Sequence, residues 1–365
     1  VGGPRLAEAG VIVDLPAGIA GPPSIRDVSY VLADMDSGEI LAAKAPHVWL
    51  RPASTLKTLT ALTLIPRLDR KSVVIATKEH QQAIGTRVGI LAGNRYPVGS
   101  LFDAMLMFSA NDAAYALADA AGGYDETLAL MNETAASIGA YDTVAKDPSG
   151  LDEEGQHSSA YDLALIGRAA MAIPSFRRYI TKTDAIFPGG TAKDTGKKYK
   201  SFHVYNINEL LPHYPGAIGI KPGRTNRAQH TFIGAATREG RTLIVTQMGS
   251  TTGDWEDTAA LLDWGFANAA TVLPVGQLVE PGEARPPVPA PTTTVPVETP
   301  SQASSASTSA TPPPAAMGAG RSELGDGQGP ADTAAALMKG AVGLLGVGVI
   351  GLAWITLARR NRSQG

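Results

Sequence analysis

Residues 52–62 read Pro-Ala-Ser-Thr-Leu-Lys-Thr-Leu-Thr-Ala-Leu. Apolar positions recur through Leu59, Ala61, Leu62, Leu64 and Ile65, which predicts a helix starting at Ser54, preceded by Pro52 and closed by Pro66. Residues three apart on a helix share a face one turn apart, so the Lys57 amine can lie beside the Ser54 hydroxyl. A serine beside a lysine at a helix N-terminus is a nucleophile with a candidate base, in the field of a dipole that favours negative charge. Chance supplies a Ser-x-x-Lys in a chain of this length, so the pair gains meaning only from its surroundings.

Working outward, residues 30–35 and 39–44 flank Asp36-Ser37-Gly38 and read as a β-hairpin, with Asp34 and Asp36 assigned to turn chemistry. Helical patterns dominate from Ser54 to about residue 172. Strands return over 216–221, 231–238 and 241–248, the last two around a Glu239-Gly240 turn, and an amphipathic helix is expected over 254–268. Residues 181–201, rich in Lys, Gly and Thr, read as a surface loop or hairpin. Strands at both ends with helices between them predict an α+β fold, an antiparallel sheet flanked by helices with a helical insertion.

The chain has 365 residues, 44% of them hydrophobic, enough for a substantial core. A net charge of -3 offers no basic stripe for nucleic acid. The absence of cysteine removes disulfides, thiol catalysis and cysteine-ligated metals. The six histidines (His47, His80, His157, His203, His213 and His230) show no metal-ligand spacing, and no cofactor is expected. Nothing in the sequence sets the oligomeric state.

Toward the C-terminus the composition shifts. Residues 276–332 form a linker rich in Pro, Ser, Thr and Ala, with few large apolar side chains. Within 333–358, residues 340–358 are uncharged and long enough for a transmembrane helix, and Arg359, Arg360 and Arg362 follow in a short tail, 359–365. This pattern predicts a single-pass membrane protein at the cell membrane, with the preceding domain extracytoplasmic, the tail cytoplasmic and a signal peptide removed or left out. The remaining segments are an N-terminal extension, 1–27, and a globular domain, 28–275.

Two further motifs follow Ser54 and Lys57. Ser100-Leu101-Phe102-Asp103 reads as a capping box opening an apolar helix that reaches Ser109-Ala110-Asn111. Ser109 and Asn111 can serve as simple N-caps, or as a proton-relaying hydroxyl and an amide that holds a substrate. Gly219-Ile220-Lys221-Pro222-Gly223-Arg224-Thr225 closes a strand, where a lysine beside a glycine is either a solvated turn or an anion holder. Ser54 is the only serine three before a lysine, and Ser109 the only one two before an asparagine, so the two motifs are unambiguous.

Together these motifs resemble the serine penicillin-binding proteins and β-lactamases, which carry Ser-x-x-Lys, Ser-x-Asn and Lys-Thr-Gly in this order. The surrounding stretches PASTLKTLTAL, FSANDAAYALAD and DPSGLDEEGQHSSAYDLA are similar to the low-molecular-mass, serine-type D-alanyl-D-alanine carboxypeptidases in particular. The resemblance covers about residues 28–250. It implies that Ser54 attacks the carbonyl between the two terminal D-alanines of a peptidoglycan stem peptide, with Lys57 as base. It further implies that Asn111 positions the substrate, that Ser109 and Lys221 pass the proton to the departing D-alanine, and that the N–H groups of Ser54 and Arg224 hold the oxyanion. β-Lactam antibiotics would acylate the same serine. One departure stands out: Pro222 stands where the family has a threonine, and it offers neither a hydroxyl nor an N–H. Arg224 or Thr225, beside Gly223, is expected to bind the substrate's terminal carboxylate instead. The resemblance leaves open a serine β-lactamase, with Glu153 or Glu154 as added base, and a weakly active or non-catalytic wall-binding homologue.

Overall fold

The computed structural model describes residues 1–253 and 255–283. The central sheet contains β1 (Val11–Val13), β2 (Ser29–Asp34), β3 (Glu39–Lys44), β4 (Ala217–Thr225), β5 (Gln229–Arg238), β6 (Arg241–Ser250) and β7 (Gly276–Gln277). It is antiparallel throughout, in the order β1-β3-β2-β6-β5-β4, with β7 sharing the outer edge of β3 with β1. The expected hairpin is β2–β3. Asp34 Oδ1 accepts the N–H groups of Asp36 and Ser37, both at 3.0 Å, and Gly38 takes a positive φ. Asp34 thus serves the turn, as its position implied.

Alternation along β2 builds two cores. Val31 and Ala33 face one side, Tyr30 and Leu32 the other, and all four are buried. The first face carries α1 (Lys57–Leu64), α2 (Val98–Met107), α3 (Asn111–Ala120), α4 (Tyr124–Ser137), α5 (Ala160–Met171) and α6 (Pro174–Ile180). The second face is covered by α7 (Trp255–Asn268). Every residue of α1 is buried, so this helix is the axis of the helical insertion, and the segment that carries Ser54 is anchored from all sides.

Several local expectations need correction. Ser100 and Asp103 do not form a capping box: Pro97 ends the preceding strand, α2 starts at Val98, and Asp103 instead pairs with Lys182 at 2.5 Å. Neither Ser109 nor Asn111 caps a helix by its side chain; α3 begins at Asn111 after Ala110. The strand expected to stop at Lys221 runs on to Thr225, so the third motif lies inside β4. Pro222 is tolerated there because β4 is the sheet edge, where a missing N–H breaks no inner ladder. Residues 181–201 contribute to two small hairpins, Asp184–Phe187 with Phe202–Tyr205 and Gly190–Thr191 with Lys198–Tyr199. The N-terminal residues pack onto the domain, through β1, the buried Leu6, and a bond from the Trp264 indole to the Ala20 carbonyl.

The expected membrane anchor is also corrected. No helix among the described residues is long and apolar enough to cross a membrane. The longest, α4 and α7, have fourteen residues each. That gives about 21 Å of rise against a hydrocarbon core of about 30 Å, and α4 carries Asp125, Glu126 and Glu133. Residues 340–358, on which that expectation fell, lie outside the described residues, as do most of the linker and the tail. The single-pass membrane partner, the cell-membrane location and the signal peptide rested on that helix, and nothing among the described residues supports them.

Candidate active site

Ser54 sits in a short 3₁₀ turn, Ala53–Leu56, that feeds directly into α1 at Lys57. Ala53 is buried with φ of +49°, a left-handed conformation that costs a non-glycine residue on the order of 1 kcal/mol and persists only where neighbours impose it. They do so here. The Pro52 carbonyl accepts the hydroxyls of Thr55 at 2.5 Å and Thr231 at 2.8 Å, the second tying β5 to the turn. Gly150 presses on the other side: a Cβ there would fall 2.0 Å from the Ala53 oxygen.

Lys57 is fully buried, and its amine has three neighbours: the Ser54 hydroxyl at 2.9 Å, Asn111 Oδ1 at 2.7 Å and the Ser149 carbonyl at 2.6 Å. Asn111 Oδ1 and the Ser149 oxygen can only accept, so they take two N–H groups whatever the charge. The third position faces a hydroxyl that can donate or accept. Burial lowers the Lys57 pKa to about 7, against the opposing charges of Asp147 and Asp112. When the amine is neutral, its lone pair is left facing the Ser54 hydroxyl.

Asn111 is held from both ends. Its side-chain amide donates to the Ile84 carbonyl at 2.7 Å and its backbone N–H to the Thr86 carbonyl at 2.7 Å. Ser109 lies in the turn between α2 and α3 with φ of +66°, and is almost fully buried. Asn206 supports the same turn at a distance. It donates to the Ile180 and Lys182 carbonyls and accepts the Asn208 N–H, while the Ile207 N–H reaches the Met107 carbonyl.

The third motif approaches from β4. Lys221 is fully buried, its amine donating to the Pro222 carbonyl at 2.8 Å. Burial holds its pKa well below the ordinary lysine value, and the charge of Lys57 adds to the effect. Gly223 abuts Ser54: a Cβ there would lie 2.8 Å from the Ser54 nitrogen and 2.9 Å from the Thr55 nitrogen. Having no side chain, Gly223 leaves the Ser54 N–H uncovered on this side. Arg224 is exposed. The Thr225 hydroxyl is already engaged, donating to Asp152 at 2.9 Å and accepting the Ala228 N–H at 2.9 Å.

Three residues of the site carry no role in the sequence reading. Asp147 accepts from the Ser149 N–H and hydroxyl and the Leu151 N–H through one oxygen, and from the Tyr115 and Tyr124 hydroxyls through the other. It thereby fixes the carbonyl that receives Lys57. Asp112 accepts the N–H groups of Val88, Gly89 and Ile90 and holds the loop that offers Ile84 to Asn111. Tyr115 stands four residues after Asn111, a spacing that puts both on one helix face. The Asp-Pro-Ser-Gly run at 147–150 is a turn signature, which gives the loop away but not its use.

The family described as D-alanyl-D-alanine carboxypeptidase matches residues 17–252. D-alanyl-D-alanine carboxypeptidase DacB2 from Mycobacterium tuberculosis is 42% identical over 259 residues, covering 69% of this chain and 86% of that protein. DacF from Bacillus subtilis, also named a D-alanyl-D-alanine carboxypeptidase, is 30% identical over 251 residues, covering 67% of this chain and 63% of its own. A crystal structure of D-alanyl-D-alanine carboxypeptidase from M. tuberculosis matches with a TM-score of 0.66 at 41% identity, over 72% of this chain and 98% of that one.

Proposed function

Given that the chain belongs to the D-alanyl-D-alanine carboxypeptidase family and is a serine-type hydrolase of peptidoglycan, we propose that Ser54 is its nucleophile and Lys57 the base. The observation that carries the assignment is the Lys57 amine, whose other two directions are occupied by acceptors. The neutral amine takes the Ser54 proton as the oxygen attacks the carbonyl between the terminal D-alanines. The developing oxyanion rests on the N–H groups of Ser54 and Arg224, in the space that Gly223 leaves open. Preorganised donors of this kind are worth about 3 kcal/mol each. Asn111 positions both Lys57 and the substrate. Ser109 and Lys221 deliver a proton to the departing amine as the peptide bond breaks, and water then hydrolyses the ester on Ser54.

Arg224 binds the terminal carboxylate, a task for which the Pro222 ring has no donor. Its guanidinium is exposed and forked to suit a carboxylate, whereas the Thr225 hydroxyl already donates its proton to Asp152. β-Lactams acylate Ser54 by the same attack.

The test combines a fluorescent penicillin with a peptide ending in D-Ala-D-Ala. A long-lived adduct on Ser54 together with D-alanine release is the expected result. Rapid turnover of penicillin would instead mark a β-lactamase, and neither reaction would mark a wall-binding protein without catalysis.

A further inference from the structure

Trp49 is 62% exposed, yet its indole is fixed in place. Its N–H donates to Asp142 Oδ1 at 3.0 Å, and one ring face stacks on the His157 imidazole, with centroids 4.3 Å apart and planes 17° from parallel. His157 is itself tethered through Nδ1 to the Gly155 carbonyl at 2.8 Å, and Asp142 also holds His47 at 2.7 Å and the Ser159 hydroxyl at 3.0 Å. We infer that the open indole face is a stacking platform for a sugar ring of the peptidoglycan strand that carries the stem peptide. The inference rests on the carboxypeptidase reading and extends it from the peptide to the glycan.

A chain of contacts puts the platform on the acyl side of the site. Along β4, Lys221, which in that reading serves the departing amine, comes first, the Arg224 N–H at the oxyanion next, and Thr225 beyond it. The Thr225 hydroxyl donates to Asp152 at 2.9 Å, and the Glu153 carbonyl of the same loop accepts from Arg51 at 3.0 Å. Leu50 and Ser158 exchange N–H···O bonds at 2.9 Å each way, which locks residues 49–51 to the far end of that loop. Length agrees as well. In a pentapeptide cleaved before its last residue, four residues separate the scissile carbonyl from the sugar, about 14 Å when extended. Trp49 precedes Ser54 by five residues, a span of at most about 18 Å.

The chemistry selects a sugar. An exposed tryptophan alone signals nothing, but a fixed one has already lost the rotamer freedom that binding would otherwise cost. The negative face of an indole suits the weakly positive C–H groups on one face of a pyranose. The exposed Glu153 and Glu154 on the same loop carry acceptors for hydroxyl and acetamide N–H groups. No covalent step is added: the platform binds, and Ser54 still carries out the hydrolysis.

The test measures D-alanine release by the full chain from a free pentapeptide and from the same pentapeptide on a glycan strand of N-acetylated sugars. Trp49→Ala is expected to lower kcat/KM about fivefold to tenfold on the glycan-borne substrate, the size of one aromatic contact, and to leave the free peptide unchanged. Trp49→Tyr, which keeps a ring, should restore most of the loss. Peptide-free N-acetylglucosamine oligomers should shift the tryptophan fluorescence of the wild type but not that of Trp49→Ala. Equal losses on the two substrates would reduce Trp49 to a structural role and overturn the platform, as would full activity of Trp49→Ala on both. If the wild type releases D-alanine from neither, the carboxypeptidase reading fails, and the fluorescence titration alone upholds or overturns the platform.

Discussion

The amine of Lys57 lies 2.9 Å from the hydroxyl of Ser54, while Asn111 and Ser149 occupy its other two directions. A lysine held this way has one direction left for chemistry, and it points at the Ser54 hydroxyl. Burial brings its pKa to about 7, so its basic form is available near neutrality.

Acylation should therefore rise with pH through about 7. Below that value Lys57 is protonated, and the rate should fall about tenfold per pH unit; above it the rate should level off. Stopped-flow measurement of penicillin acylation between pH 5 and 9 gives the profile. A flat profile would show that Lys57 is not the base.

Asp147 opposes the effect of burial on Lys57, because its negative charge favours the ammonium form. Asp147→Asn keeps the shape and removes the charge. The midpoint of the acylation profile should move to lower pH, an effect that a purely structural role for Asp147 does not produce. The same titration, run on the variant, reads the shift.

Gly223→Ala places a methyl 2.8 Å from the Ser54 nitrogen. Loss of access to one oxyanion donor typically costs a factor of about 10² to 10³. We expect acylation to fall by that order while the secondary structure, followed by circular dichroism, stays that of the wild type. Wild-type acylation rates in this variant would rule out an oxyanion site at Ser54.

Arg224 and Thr225 should separate by readout. Arg224→Ala should raise KM for the peptide at least tenfold with little change in melting temperature, because the side chain is exposed. Thr225→Val leaves Asp152 and the Ala228 N–H without their partner, a loss of about 1–3 kcal/mol, and should appear chiefly in the melting temperature. Equal KM values for Arg224→Ala and wild type would remove the arginine from carboxylate binding.

The hairpin β2–β3, the last two long strands and α7 were legible because alternation, turn residues and helical periodicity are local properties of the chain. Ser54 and Lys57 were legible for the same reason, being three residues apart at the start of one apolar run. The capping box at Ser100 misled because the helix already starts at Val98, two residues earlier, with Pro97 as its N-cap. The third motif seemed to close its strand because proline usually ends one. Sheet order alone shows β4 at the edge, where proline is harmless.

The sequence by itself determined the family and the α+β class, and singled out the serine, two lysines and asparagine proposed for the site. Tertiary structure alone decided what those residues touch. The Lys57 pKa depends on full burial, on Asn111 fifty-four positions away and on the Ser149 carbonyl ninety-two positions away. Asp147, which steadies that carbonyl, is silent in the sequence because no local pattern says which turn will close over which amine. The same holds for Gly223 against Ser54: the contact arises where an edge strand meets a helix start, and only the packing of distant segments brings those together.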